Sequence, residues 1–156
     1  MDVRMRVLGA LCCAMLLLGS CDGAAAPGPQ IFGVSLGMSR EEAHERLKQL
    51  GSLEREERKQ QEVWALRDDE SYSHLILAYN KEYTSVRFLT AVAKDGGRPV
   101  RYADVLDVKK ARLATAENNH TYTLEVPAED GRPGYVVKAI GSHPDYLKYY
   151  SVERAD

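Results

Sequence analysis

The cysteines of this 156-residue chain are confined to its start, at Cys12, Cys13 and Cys21, and none follows. A fold formed by the remainder therefore contains no disulfide, and a hydrophobic core must stabilise it. Hydrophobic residues make up 44% of the chain and charged residues 28%, which is a globular composition. The length suits one domain of ordinary size and is short for two.

The first 20 residues have the pattern of a secretory signal peptide. Arg4 and Arg6 give a positive start, and the uncharged apolar stretch 7–19 (VLGALCCAMLLLG) follows. That stretch is too short to span a bilayer comfortably, which takes about 20 apolar residues. A basic region before a short apolar region is typical of export signals. The alternative is a buried N-terminal helix.

The end of this signal is more specific. Leu18-Gly19-Ser20-Cys21 resembles a bacterial lipobox, in which an aliphatic residue and two small residues precede a cysteine. The resemblance implies that the Cys21 thiol carries a diacylglycerol and that a peptidase cleaves before it. The alternative is an ordinary signal peptide with an incidental cysteine.

Lipid on Cys21 would anchor the chain to a membrane. Residues 21–30 are then a lipidated tether, because this small, Pro- and Gly-containing stretch has no apolar period. The predicted location is the bacterial cell envelope, facing the periplasm. The pattern leaves open whether the inner or the outer membrane holds the anchor.

The clearest local signal in the remaining chain is a helix from Arg40 to Leu50. Ser39 and Glu42 have the spacing of a capping box, in which each side chain binds an unpaired backbone N–H of the other. Apolar residues then repeat at helical spacing, at Ala43, Leu47 and Leu50. Gly51 is expected to end the helix in the left-handed conformation.

The charged stretch 53–62 fits either a second solvated helix or the start of an edge strand, and the strand is favoured. β-forming residues bounded by turn signals predict strands at 58–67, 71–80, 83–93, 120–128 and 135–142, with clear alternation in 83–93 and 120–128. The first three form an antiparallel meander and the last two a hairpin. Between the meander and the hairpin, the apolar spacing of Val105, Val108 and Leu113 predicts a second short helix, capped by Asp104. The chain closes as a short helical turn, with a last strand left open.

The predicted fold class is therefore α+β. Residues 31–156 form a single globular domain in which a short N-terminal helix packs on an antiparallel β-meander, with a second short helix and a C-terminal hairpin.

The stretch 36–51 (LGMSREEAHERLKQLG) resembles the helix-opening motif of the SmpA/OmlA lipoproteins, the BamE-like family. The shared pattern is Gly-Met-Ser, a helix with apolar residues at positions 43 and 47, and a closing glycine. A lipobox, a short linker, this helix and a β-meander follow in the same order. The resemblance implies a small α+β lipoprotein domain that acts by protein contact, as do the β-lactamase-inhibitor-like domains that open with the same motif.

The residues that usually carry chemistry are scattered. The four histidines, His44, His74, His120 and His143, have no HxxxH or HxH spacing and no cysteine partner, and His44 is expected on the solvated helix face. The net charge of −2 gives no basic excess for nucleic acid. We therefore predict no catalytic residue, no metal, no cofactor and no nucleic-acid partner.

Tyrosine is the most abundant aromatic residue, with nine copies against two Phe and one Trp. Aromatic side chains suit protein interfaces and equally suit strands with one wet face. The candidate partner-binding residues are Trp64, Tyr146, Tyr149 and Tyr150.

These observations predict a bacterial envelope lipoprotein that is a non-enzymatic protein-interaction module, acting in outer-membrane or envelope assembly with another envelope protein as partner. The alternative is a module that binds a small ligand or peptidoglycan while tethered to the membrane.

Replacing the lipidated residue tests the anchor. In cells that produce Cys21→Ser, the protein is expected to move from the membrane fraction to the soluble fraction, because acyl burial supplies about 0.8 kcal/mol per CH₂. Fractionation and immunoblotting measure the distribution, and Cys12→Ser is the matched control. A Cys21→Ser protein that stays with the membranes would show that another feature anchors the chain.

Overall fold

The computed structural model describes residues 29–57 and 60–155. The predicted signal peptide, and the predicted tether except for its last two residues, lie outside these ranges. Among the helices of the described residues, none is long and apolar enough to cross a membrane.

The predicted helix is confirmed as α1, Arg40–Leu50. Its capping box forms as expected: the Ser39 hydroxyl accepts from the Glu42 N–H at 3.3 Å, and the Glu42 carboxylate accepts from the Ser39 N–H at 3.2 Å. Ala43 and Leu47 are completely buried, whereas Leu50 is exposed. The helix therefore packs on the core through Ala43 and Leu47, and Leu50 at its end is exposed to solvent.

Within the described residues, ten strands accompany the helix. In chain order they are β1 Gln30–Ile31, β2 Val34–Ser35, β3 Gly51–Glu57, β4 Gln61–Leu66, β5 Tyr72–Tyr79, β6 Val86–Ala93, β7 Arg112–Ala116, β8 Asn119–Val126, β9 Tyr135–Gly141 and β10 Tyr149–Arg154. β1 and β2 form a small hairpin, and the other eight form one antiparallel sheet in the order β3-β4-β5-β6-β10-β9-β8-β7.

This architecture shows that the predicted fold class was wrong. The described chain is mostly β, with one α-helix against an eight-stranded antiparallel sheet. The second predicted helix is only a one-turn 3₁₀ helix, Tyr102–Asp104, followed by turns and then β7. Asp107 then opens a separate turn, in which its carboxylate accepts from the Lys109 N–H at 3.1 Å and its carbonyl accepts from the Ala111 N–H at 3.0 Å. Pairing with β8 then draws residues 112–116 into the sheet, since tertiary context overrides weak helix propensity.

The predicted meander is confirmed by the neighbouring strands β4, β5 and β6, and the predicted hairpin by β8 and β9. The charged stretch before the meander contributes an additional strand, β3, at the edge of the sheet. The chain's last segment has the largest topological effect. β10 lies between β6 and β9 and joins the two halves into one sheet.

Antiparallel register assigns side chains to the two faces of this sheet. One row on the core face runs Trp64, Leu75, Ala91, Tyr150, Ala139, Tyr122 and Leu113. Helix α1, the β1–β2 hairpin and residues 100–111 contribute to the same hydrophobic core. We call the opposite side of the eight-stranded sheet the open face, because each of these covering segments packs on the core face.

Gly51 departs from the prediction. Its φ is −169°, so it is extended and not left-handed, and its N–H donates to the Leu47 carbonyl. A Cβ here would lie 2.0 Å from the carbonyl oxygen of Ala65 on the paired strand. Glycine is therefore required by the close approach of two backbones where the helix passes directly into β3.

Substituting this glycine tests the close approach. Gly51→Ala is expected to lower the free energy of unfolding by about 3 kcal/mol, because the methyl group must push β3 from β4. Gly96→Ala is the control. That residue has open space but a φ of +72°, so about 1 kcal/mol of backbone strain is expected. Urea unfolding measures both, and equal losses would contradict the steric explanation.

Candidate functional site

Glu62 on β4 is the most unusual polar residue in the described structure, because its side chain is completely buried. Arg40, at the first position of α1, donates to its Oε1 from Nε at 2.9 Å and from Nη2 at 2.8 Å. The Tyr83 hydroxyl donates to the same oxygen at 2.9 Å. The Arg40 guanidinium also lies over the Tyr83 ring, 4.1 Å from its centroid, which orders the cation further.

The second carboxylate oxygen, Oε2, has three more partners. Trp64 Nε1 donates to it at 3.1 Å and the Tyr79 hydroxyl at 2.8 Å. His44 Nε2 lies 2.7 Å away and must carry a proton, since an ionised carboxylate only accepts. We call Glu62 with its five partner residues the Glu62 cluster.

These contacts keep Glu62 ionised. Burial by itself raises its pKa, but hydrogen bonds from Tyr79, Arg40, Trp64 and His44 outweigh that effect and lower the pKa from 4.5 to about 2. The hydrogen bond between Tyr83 and Glu62 has the opposite effect on the pKa of Tyr83. Burial and its hydrogen bond to Glu62 raise the pKa of this phenol to about 12.

The hydrogen bonding of the Glu62 cluster favours a structural role over a binding role. A carboxylate offers about four lone-pair sites, and six donors already occupy them, so no acceptor position remains for a substrate. The donors come from α1, from β4 itself, from β5 and from the turn after it. The carboxylate therefore fixes the helix onto the first half of the sheet.

Sequence reasoning missed this cluster and placed His44 on the solvated helix face. In the structure, His44 is half-buried and packs edge-to-face on Trp64, with ring centroids 5.1 Å apart. One signal was available: Glu62 precedes Trp64 by two residues, so both side chains point to the same face of a strand. A carboxylate beside a buried Trp requires partners.

The candidate partner-binding residues are distributed over both sides of the sheet. Trp64 is buried at 3% exposure within the Glu62 cluster, and Tyr150 lies on the core face against Tyr72. Burial raises the pKa of the Tyr150 phenol to about 12. Tyr149 lies on the open face at 36% exposure, and Tyr146 stacks on His143 in the preceding loop. The structure therefore does not bring these four residues together.

The open face combines apolar and small polar side chains. One row across it contains Ala65, His74, Val92, Tyr149, Ile140, Thr121 and Ala114. The next row contains Val63, Ile76, Thr90, Ser151, Lys138, Thr123 and Arg112. Charges on this face are largely paired within it, as Arg55 with Glu57 at 2.8 Å and Lys138 with Glu153. His74 Nε2 lies 3.0 Å from the Glu54 carboxylate.

Three surface clefts, of about 420, 590 and 470 Å³, meet around Tyr146. The largest is lined by Tyr72, Arg98 and Arg101 among others. Neither arginine side chain forms an ion pair within the described part of the chain. These clefts therefore present guanidinium groups beside aromatic rings. Across residues 29–57 and 60–155, no cluster of His, Cys, Asp or Glu has the arrangement of a metal site.

Comparison with known proteins gives no relative: no protein-family model, no curated protein and no solved structure matches the chain. The resemblance to the SmpA/OmlA lipoproteins therefore stays a prediction.

Neutralising the buried carboxylate tests the Glu62 cluster. Glu62→Gln is expected to lower the free energy of unfolding at pH 7 by about 3 kcal/mol, because it leaves the buried side of Arg40 without a counter-charge. Chemical unfolding measures the loss. The control is Glu41→Gln, an exposed change next to Arg40 on α1, which is expected to alter stability by less than about 0.5 kcal/mol.

The pH dependence gives a second readout. Because the folded pKa of Glu62 is lowered from 4.5 to about 2, its contribution is complete above pH 4.5 and is lost as the pH falls towards 2. That loss corresponds to about 3 kcal/mol. The difference in unfolding free energy between wild type and Glu62→Gln should therefore shrink over this range. A difference that stays constant with pH would contradict the assignment.

Proposed function

We propose that this chain is a lipid-anchored, non-enzymatic protein-interaction module of the bacterial envelope, and that it binds a partner protein through the open face of its sheet. The observation that carries the proposal is the open face itself. It extends over eight strands, and the helix, the β1–β2 hairpin and the 100–111 segment all pack on the other side.

The composition of the open face indicates the chemistry of the partner. Val92, Tyr149 and Ile140 form an apolar centre across three neighbouring strands. Nearby charges are neutralised in pairs, as between Lys138 and Glu153. An apolar centre with aromatic residues and a polar surround is typical of protein interfaces. The expected partner surface is therefore apolar and uncharged at its centre, with polar groups around it.

The N-terminal sequence supports the envelope location. The lipobox, the linker and the capped helix follow the order of SmpA/OmlA lipoproteins, so the expected partner is another envelope protein. A lipid on Cys21 and a short tether would keep the domain near the membrane surface.

A second candidate function has its own supporting observation. The clefts around Tyr146 fall in the size range of small-ligand sites, and Arg98 and Arg101 line the largest. Guanidinium groups bind carboxylates and phosphates, and aromatic rings stack on sugars and bases. The alternative is therefore a module that binds a small anionic ligand or a peptidoglycan fragment.

Neighbouring tyrosines of β10 offer a matched test, since they point to opposite faces. A photo-crosslinking residue at Tyr149 first captures and identifies the partner in intact cells. Tyr149→Ala is then expected to weaken binding of that purified partner at least tenfold with little change in melting temperature, as for a central aromatic contact. Tyr150→Ala is expected to lower the melting temperature markedly, because it leaves a cavity beside Tyr72.

Binding of the captured protein unchanged by Tyr149→Ala would contradict the proposal. The alternative predicts a different pattern, in which Tyr146→Ala and Arg101→Ala weaken binding of a peptidoglycan fragment and Tyr149→Ala does not. Isothermal titration calorimetry measures both ligands on the same variants.

A further inference from the structure

The eight-stranded sheet ends in two edge strands of very different chemistry. β3 (GSLEREE) carries four charged residues in its last four positions, and such charges oppose pairing with another chain. β7 (RLATA) carries one charge, Arg112, at its start, and it contains no proline. The edge formed by β7 is therefore much less protected.

All five residues of β7 are exposed, and its Leu113, at 49%, is the most exposed large hydrophobic residue in the described structure. β8 occupies one side of this strand. Within the described chain, no backbone hydrogen bond beyond that ladder engages residues 112–116. An exposed edge with a single charge at one end is a template for one more strand.

We propose that β7 pairs antiparallel with β7 of a second copy of this chain, which joins the two sheets edge to edge. Full overlap of two five-residue strands about a twofold axis places Ala114 opposite its own counterpart. Leu113 then faces Thr115 of the second copy, and Arg112 faces Ala116. This inference goes beyond the proposed function and does not depend on it.

Charge and burial favour a copy of this chain as the occupant. In this register Arg112 faces the uncharged Ala116 of the second copy, so no like charges meet along the five paired residues. Both Leu113 side chains lie on the core face and cover each other diagonally across the junction. The junction thus covers two apolar side chains and brings no like charges together.

The twofold axis gives a sharp test, because paired Cα atoms in antiparallel strands lie about 4.5 to 5.5 Å apart, within disulfide range. Purified full-length Ala114→Cys is oxidised with diamide, which takes the two electrons and two protons released as two thiols form one disulfide. A non-reducing gel is expected to show at least tenfold more covalent dimer than Ser52→Cys on the opposite edge. The wild-type chain measures the background from its own cysteines.

A charge at the edge supplies the second test. Leu113→Lys, in the Ala114→Cys chain, is expected to reduce dimer formation at least tenfold, because two lysines would meet across the junction. Leu53→Lys is the matched control, since Leu53 is 39% exposed on the other edge strand, and it should leave the dimer yield unchanged. Circular dichroism checks that both variants fold. No excess of Ala114→Cys dimer over Ser52→Cys, or equal effects of the two lysines, would overturn the proposal.

Discussion

The fold depends on one ionised carboxylate held away from water. Glu62 receives hydrogen bonds from the helix, from its own strand, from β5 and from the turn after it. A charge in this position is tolerated only because every lone pair is occupied and a guanidinium lies beside it. The cluster joins Arg40 and His44 of α1 to the sheet on the side where Ala43 and Leu47 enter the core.

The helix, the β1–β2 hairpin and residues 100–111 cover only one face of the eight-stranded sheet. A single antiparallel sheet with its helix on one face leaves the second face to solvent or to a partner. In this chain that second face has an apolar centre around Tyr149 and charges that are mostly neutralised in pairs. The same arrangement leaves two sheet edges, and only β3 carries the charges that usually protect an edge. Within the described residues, both the open face and the β7 edge are therefore surfaces to which the proposals assign binding.

Local patterns predicted the parts of the fold that depend on short-range interactions. The capping box at Ser39 and Glu42 specified where α1 begins, and alternation located β5, β6, β8 and β9. The same reasoning failed for residues 104–116, where a helical apolar spacing was outweighed by pairing with β8. It also failed at Gly51, whose requirement comes from Ala65 on another strand and not from a left-handed turn.

The amino-acid sequence by itself determined the absence of disulfides after Cys21, the position of the helix and the alternation of most strands, because each depends on residue type and near neighbours. Only the tertiary structure decided that β10 joins two halves into one sheet, that Trp64 and Tyr150 face the core while Tyr149 faces outward, and that Glu62 meets Arg40 and His44. Those outcomes depend on contacts between segments that are distant in the chain, and for the strand residues on the register in which the strands pair. A one-residue step along a strand reverses the face of a side chain, so they follow from register.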